Sequence, residues 1–311
     1  MTLSPEIGTN TTRLRALSLS IIIPTYNESQ NILNLLNKIH DNLKGGAKME
    51  VVVIDDNSPD GTGRLVEEYA RDTGTLTGMT ATLECTDTDY ENYSRGEDNN
   101  INDKDYSIKV IHRDSKYGLI SAILQGIRAS SSAEYVLVMD ADFSHPPELI
   151  PIMIDEIENS GYDIIIGSRY TRGGSIIGWP FRRRMISRGA TKIAQYGLKL
   201  RIKDPMSGFF VCRHHVLQDL DISTLGYKIL LEILVKKQGI KTKEIPYTFV
   251  NRKLGQSKMN LSVITNYVKA VWILYKYGRK SRQVYKKELA VHLPVKLEYG
   301  RSHYQQDGSV A

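Results

Sequence analysis

The sequence predicts an α/β fold, a single domain built on a mostly parallel central sheet. Two observations carry that expectation. Short apolar runs alternate with amphipathic stretches of ten or more residues between Ser18 and Arg169, as strands do when crossover helices join them. Polar residues also gather at the carboxyl ends of those runs, where ligands bind in open parallel sheets.

Each element follows in order. SLSIII (18–23) reads as a first strand, stopped by Pro24, and ESQNILNLLNKIHDNL (28–43) as an amphipathic helix. EVVVIDD (50–56) is a second strand and GTGRLVEEYAR (61–71) a second helix. IKVIHR (108–113) and a helix over 118–130 come next, then VLVMD (136–140) and PELIPIMIDEIEN (147–159), then DIIIGSR (163–169). Residues 72–107 break this rhythm with many acids and asparagines, as in a polar insertion between a helix and the next strand. The division expected is an N-terminal extension (1–17), an α/β domain (18–260), an amphipathic segment (261–282) and a polar tail (283–311). No internal repeat is visible.

Composition sets limits. The 311 residues carry 41% hydrophobic residues and a net charge of +6, which suggests anionic partners without naming one; no nucleic-acid partner is expected. Two cysteines, Cys85 and Cys212, provide neither a disulfide framework nor a metal cluster and fit a reducing cytoplasm. No apolar run reaches 18 residues, so no spanning helix is expected. The run Leu19–Ile23 ends at Pro24, so no signal peptide is expected. The Asn-x-Ser/Thr matches at Asn10, Asn92 and Asn260 are then coincidental.

VLVMDADFSHPPE (136–148) poses the chemical question. Residues two apart on an extended chain project to one side, so Asp140 and Asp142 should face the same way at a strand end. Paired carboxylates suit a divalent cation with oxygen ligands, Mg²⁺ or Mn²⁺ rather than zinc. Acidic pairs also cap helices, and DAD alone does not separate the two readings. Asp55 and Asp56 end another strand of the same sheet and favour a ligand site at that edge. Ser58 and Asp60 equally suit capping of the following helix. His145, a lone histidine beside two prolines, reads as structural.

Six segments in order resemble the family 2 glycosyltransferases of GT-A (Rossmann-like) fold, and among them the dolichyl-phosphate mannose synthases. They are IIIPTYNE, VVIDDNSPDGT, MDADFSHPPE, GSRYTRGG, DPMSGFF and RKLGQSKMN. The resemblance runs from about residue 18 to 278 and is interrupted by 72–107. It implies a nucleotide-sugar donor such as GDP-mannose, a divalent metal, and dolichyl or another polyprenyl phosphate as acceptor. Matched by position, Pro24, Tyr26, Glu28, Ile54 and Asp56 would hold the nucleoside. Asp140 and Asp142 would serve metal and donor. Ser144, where some relatives have glutamine, stands at a third metal position.

The implied chemistry can be compared with the residues. A phosphate monoester acceptor is largely ionised at neutral pH, its second pKa being about 6, so it needs no base. It needs cations, because one anion must approach another. Arg169, Arg184, Arg188, Arg252 and Lys258 supply them, with Arg184 and Arg188 expected at the acceptor phosphate. RKLGQSK resembles a family motif that folds over donor and acceptor phosphates, which adds Ser257 beside Lys258.

Two amphipathic stretches suit a membrane surface. In 178–200, Arg184, Arg188 and Lys192 are spaced i, i+4 and i+8 beside Trp179, Phe181, Met185, Ile186, Ile193 and Ala194. In 261–282, Ile264, Tyr267, Val268, Val271, Trp272 and Tyr275 keep helical spacing before a basic run. The second is expected to be a C-terminal interfacial helix. A peripheral enzyme on the cytoplasmic face of a membrane is expected, alone or with a membrane-anchoring protein partner.

The expected activity is inverting transfer of mannose from GDP-mannose to dolichyl phosphate. One alternative is a polyprenyl-phosphate glucosyltransferase using UDP-glucose. Another, of a different class, is a non-catalytic membrane-associated adaptor that keeps the fold. A processive polysaccharide synthase is disfavoured, because no QxxRW-type motif is present. PTYNE also replaces the Gly-rich loop of a sugar nucleotidyltransferase.

Overall fold

Strand β1 (Ser18–Thr25) is apolar on both faces because it lies inside the sheet. Leu19, Ile21 and Ile23 join one core cluster, and Ile22 joins the other. The computed structural model describes residues 18–44, 48–77, 105–130, 132–218, 220, 228–237, 239–251 and 267–279. Within these, the chain runs through α1 (Ile32–Leu43), β2 (Lys48–Asp55), α2 (Thr62–Asp72), β3 (Tyr106–His112), α3 (Leu119–Ala129), β4 (Tyr135–Val138) and α4 (Ile150–Asn159). It continues through β5 (Ile164–Ser168), β6 (Ser175–Ile177), α5 (Phe181–Leu198), β7 (Phe210–Arg213), α6 (Ile229–Lys236), β8 (Thr242–Pro246) and β9 (Thr248–Val250). Residues 267–279 form a further helix, α7.

Seven strands form one sheet in the order β3-β2-β1-β4-β7-β5-β8. Strand β7 runs antiparallel to both its neighbours, β4 and β5, and the remaining pairs are parallel. Helices α1, α2 and α4 cover one face through Leu35, Leu36, Val66, Met153 and Ile157. Helices α3 and α6 cover the other through Ile120, Ile123, Leu230 and Ile233. Helix α3 approaches closely because Gly126 has no side chain. A Cβ there would lie 2.6 Å from Ile22 and 2.7 Å from Ile54.

The expected α/β class and parallel sheet are present, and the five expected strands are all found. The sequence reading did not identify β6 to β9 or α6. Strands β6, β7 and β9 are three or four residues long, too short for any period to show. Strand β8, TKEIP, lies at the sheet edge, where charged residues and proline are favoured over an apolar run. The expected insertion is also trimmed at both ends. Leu76 bridges Ile108, Thr77 N–H donates to the Ile108 carbonyl at 2.9 Å, and β3 already starts at Tyr106. Residues 1–17, 78–104 and 280–311 lie outside the described residues.

Helices α5 and α7 pack together through Ala194, Leu198, Tyr267, Val271 and Leu274, and the Tyr267 hydroxyl donates to the Ala190 carbonyl at 2.6 Å. Ala194 and Val271, read as part of apolar surfaces, are therefore buried. Phe181 (74% exposed), Met185, Ile193 and Tyr196 (81%) on α5 remain outside, as do Val268, Trp272 and Ile273 on α7. Among the described residues, no helix is long and apolar enough to cross a membrane.

Candidate active site

The chain winds outward from β1 through β2 to β3, then returns to place β4 on the other side of β1. A crevice opens where strand order reverses, beyond the carboxyl ends of β1 and β4. Residues 24–28, 55–60 and 139–145 surround it.

The nucleoside residues expected from sequence meet at its β1–β2 side, in unequal states. Tyr26 is exposed at the mouth, with the Lys116 ammonium 3.3 Å from its ring centroid. Pro24 is partly buried. The Glu28 N–H donates to the Thr62 hydroxyl at 2.9 Å, while its carboxylate accepts from the Asn31 amide at 2.8 Å. The Ile54 side chain is wholly within the core, and its carbonyl accepts from the Thr25 hydroxyl at 3.3 Å. Asp56 accepts from Arg113 at 2.7 Å and from the Tyr117 and Gly118 N–H groups at 2.9 and 2.8 Å. Both side chains of the Asp56–Arg113 pair are only 6% exposed. Asp55 accepts from Thr25, at 3.0 Å, and from the N–H and hydroxyl of Ser58, at 3.0 and 2.5 Å. The second acidic pair thus lies at the expected edge, but both carboxylates hold loops. Asp60 ties the amino end of α2 to the preceding loop, accepting from Thr62 N–H at 3.1 Å and Ser29 N–H at 3.1 Å.

The first acidic pair is different. Asp140 is 40% exposed at its side chain and faces the crevice. Strand β4 ends at Val138, before either aspartate, so strand alternation does not orient the pair. A bend does. Phe143 takes a positive φ of 58°, uncommon for a bulky residue and costly unless its surroundings impose it. Its ring packs against the core, and the Ser144 N–H donates to Asp142 Oδ1 at 3.1 Å. His145, fully enclosed, accepts the Asp140 N–H on Nδ1 at 2.9 Å and stacks on Phe209 at 5.1 Å. Burial pushes its imidazole below the ordinary value, with Asp140 and Asp142 opposing. A neutral, structural histidine results, with Nε2 3.8 Å from Asp140 Oδ2. The Ser144 hydroxyl is buried and has no hydrogen-bond partner among the described residues. Among those residues there is also no group of three or more His, Cys, Asp or Glu able to hold a metal.

The cations of the second half divide similarly. Arg169 follows β5 and is locked by Asp204, with Nε at 2.7 Å and a second nitrogen at 2.8 Å from the carboxylate. Asp204 is fully buried, and its own N–H donates to Glu244 at 2.9 Å. This clamp fixes the loop bearing Gly208, whose missing Cβ would stand 3.7 Å from Asp140 Oδ2. Arg184 is partly buried, and its Nε has no partner among the described residues. Arg188 is exposed. Arg252, Ser257 and Lys258 lie outside the described residues.

Two cations were missed by sequence reasoning. Arg183, next to Arg184, lies 4.3 Å over the Trp179 ring and donates to Asn251 at 3.3 Å. Lys228, at the start of α6, lies in the field of Asp140, Arg169 and Asp204. Burial pushes its ammonium below the ordinary value, against the pull of Asp140. A lone lysine opening the apolar helix ILLEIL was the available signal.

The sequence pattern of the family described as glycosyl transferase family 2 matches residues 20–77 and 91–221. The chain belongs to this family. As a family 2 member it is 39% identical over 263 residues to a dolichol-phosphate mannosyltransferase of Pyrococcus furiosus, covering 84% of this chain and 64% of that protein. The chain therefore spans just under two thirds of that relative's length. It is 33% identical over 269 residues to a polyprenol monophosphomannose synthase of Mycolicibacterium smegmatis, covering 84% of this chain and 87% of that protein. Its fold matches glucosyl-3-phosphoglycerate synthase from Mycobacterium tuberculosis, solved with Mn²⁺, UDP-glucose and phosphoglyceric acid. That match has a TM-score of 0.55 and 14% identity, covering 84% of this chain and 79% of the other.

Proposed function

We propose that this protein transfers mannose from GDP-mannose to dolichyl or another polyprenyl phosphate, inverting the anomeric carbon. The observation that carries the reading is the open Asp140–Asp142 bend at the switch point. It occurs in a chain 39% and 33% identical to proteins named for mannose transfer to such lipids.

Asp140, Asp142 and Ser144 offer oxygen donors only, and the buried Ser144 hydroxyl without a partner fits a ligand at this bend. Such a set suits a hard divalent cation, Mg²⁺ or Mn²⁺. Bound there, it would supply Lewis-acid stabilisation of the departing diphosphate. Pro24, Tyr26, Glu28, Ile54 and Asp56 form the nucleoside side. Tyr26 offers its ring, Ile54 only its backbone, and Asp56 the 113–118 loop that it holds.

The remaining work is electrostatic. The acceptor phosphate is already ionised, so no carboxylate base is required. Lys228, Arg183 and Arg184 supply positive charge on its approach, while Arg169 acts through position, keeping Gly208 and its loop against Asp140. Arg252 directly follows Asn251; Ser257 and Lys258 come five and six residues later, and by resemblance to the family motif all three would contact the phosphates. Arg188 is left to surface attraction.

The exposed apolar residues of α5 and α7, flanked by Lys192, Lys269 and Lys276, suit peripheral attachment to the cytoplasmic face of a membrane. The test is parallel incubation with GDP-mannose and UDP-glucose, a short polyprenyl phosphate, and Mg²⁺ or Mn²⁺. Mannosylated lipid from GDP-mannose alone is expected. Glucosylated product would transfer the assignment to the alternative donor, and no product with either would leave the adaptor reading.

A further inference from the structure

A cavity of about 320 Å³ lies between the carboxyl ends of α5 and α6, at the small end of the range for small-molecule sites. It adjoins Thr242, the amino end of β8. The Asp140 bend instead lies beyond the carboxyl ends of the parallel strands, so the two sites are on opposite edges of the sheet.

Its lining is amphipathic in an ordered way. Leu198, Leu234, Val235 and Ile240 form apolar wall, while Lys199, Arg201 and Lys237 contribute the only charges among the described residues of the lining, all positive. Lys199 and Arg201 form no ion pair among the described residues. Lys237 donates to the Gln218 carbonyl at 2.7 Å. Two helix ends converge here, with Lys199 and Lys237 at the C-cap positions. Each end contributes roughly half a negative charge, so three full cations leave an excess of about two positive charges. Neutralising helix dipoles does not account for all of them.

The position is informative too. Gly278 of α7 completes the lining, and both α5 and α7 carry exposed apolar side chains, Ile193 and Tyr196 within the last turns of α5. Helix α5 has 18 residues and is therefore about 27 Å long. Its amino end carries Arg183 and Arg184, and its carboxyl end carries the cavity.

We infer that this cavity binds a phosphate-bearing group, the cations holding the phosphate and the leucine-lined wall the adjoining carbon. A bilayer phospholipid headgroup and a free phosphorylated small molecule share that chemistry. The inference stands apart from the sugar-transfer reading, because none of these residues belongs to the proposed transfer site.

The experiment uses the full chain, isotope-labelled, at fixed ionic strength. Inorganic phosphate should shift the amide signals of Gly239, Thr242 and Gly278 in a saturable manner, and Lys199→Gln/Arg201→Gln should abolish those shifts. Binding is then compared on vesicles of phosphatidylcholine alone and of phosphatidylcholine with phosphatidic acid. If a lipid is the source, the double variant loses about thirtyfold affinity for the second vesicle, two cations being removed. Arg182→Gln/Lys192→Gln, the same charge change outside the cavity, loses less. Saturable shifts with equal vesicle losses for the two double variants identify a free phosphate compound as the ligand. Absence of phosphate shifts, or shifts that persist in Lys199→Gln/Arg201→Gln, overturns the site. Transfer to a detergent-solubilised short acceptor stays unchanged in that variant, so failure here and failure of the transfer reading are distinguishable.

Discussion

Asp204 holds Arg169 in a two-point ion pair, at 2.7 and 2.8 Å, with the carboxylate wholly enclosed. The pair ties the end of β5 to the loop that faces Asp140. Removing one partner of such a pair leaves a buried charge uncompensated, which costs about 3–5 kcal/mol. Asp204→Ala should therefore lower the urea midpoint strongly at unchanged m. A midpoint within error of the parent protein would mean that the pair contributes little to stability.

Asp142→Ala should abolish transfer and metal-dependent donor binding while leaving the protein folded. The Asp142 carboxylate accepts the Ser144 N–H, and losing a hydrogen bond to a charged group costs about 1.5–3 kcal/mol, so the thermal midpoint should fall without the fold being lost. Near-normal turnover by the variant in chelator-treated buffer would sink the metal assignment.

The arginines at the start of α5 should separate. Arg183→Gln and Arg184→Gln remove partly buried charges near Trp179 and Ile176. Each should reduce acceptor efficiency roughly ten- to a hundredfold with donor binding retained, the worth of a hydrogen bond to a charged group. Exposed Arg188→Gln should have a much smaller effect with a detergent-solubilised acceptor. Equal losses in all three variants would contradict this division.

Gly174 is required by close approach. A Cβ there would stand 2.6 Å from the Ser168 carbonyl oxygen and 2.8 Å from the Arg169 carbonyl carbon, both backbone atoms that cannot swing aside. Gly174→Ala should destabilise the fold by about 1–3 kcal/mol and reduce acceptor efficiency by displacing Arg169. Unaltered stability and kinetics would show that the turn relaxes freely.

Replacing residues 78–104 with a short Gly-Ser linker should spare folding and activity. The strand pairing on either side, from Thr77 to Ile108, is already closed. Loss of soluble protein would instead assign the segment a packing role. Extending the deletion to residue 72 should be harmful, since it removes the Leu76 bridge.

Patterning by itself determined the α/β class, the first five strands and the helices between them. Repeating burial on both faces of a parallel strand leaves a continuous apolar run that can be read from one segment alone. The same logic placed Asp55, Asp56, Asp140 and Asp142 at one edge, because polar residues that end such runs must end near the same rim. Tertiary structure decided which of these acids are enclosed by a partner from a distant segment. Asp56 is matched by Arg113, 57 residues away, and Arg169 by Asp204, 35 residues away. No local pattern encodes such pairing. Nor does strand alternation orient Asp140 and Asp142, since Phe143, pinned in the core with positive φ, turns the chain there instead. Arg183 is fixed at the amino end of α5 because Trp179 and Asn251 converge on it, and Lys228, at the start of α6, lies in the field of Asp140. Those placements depend on which elements pack together, and packing is a property of the assembled core rather than of any one segment.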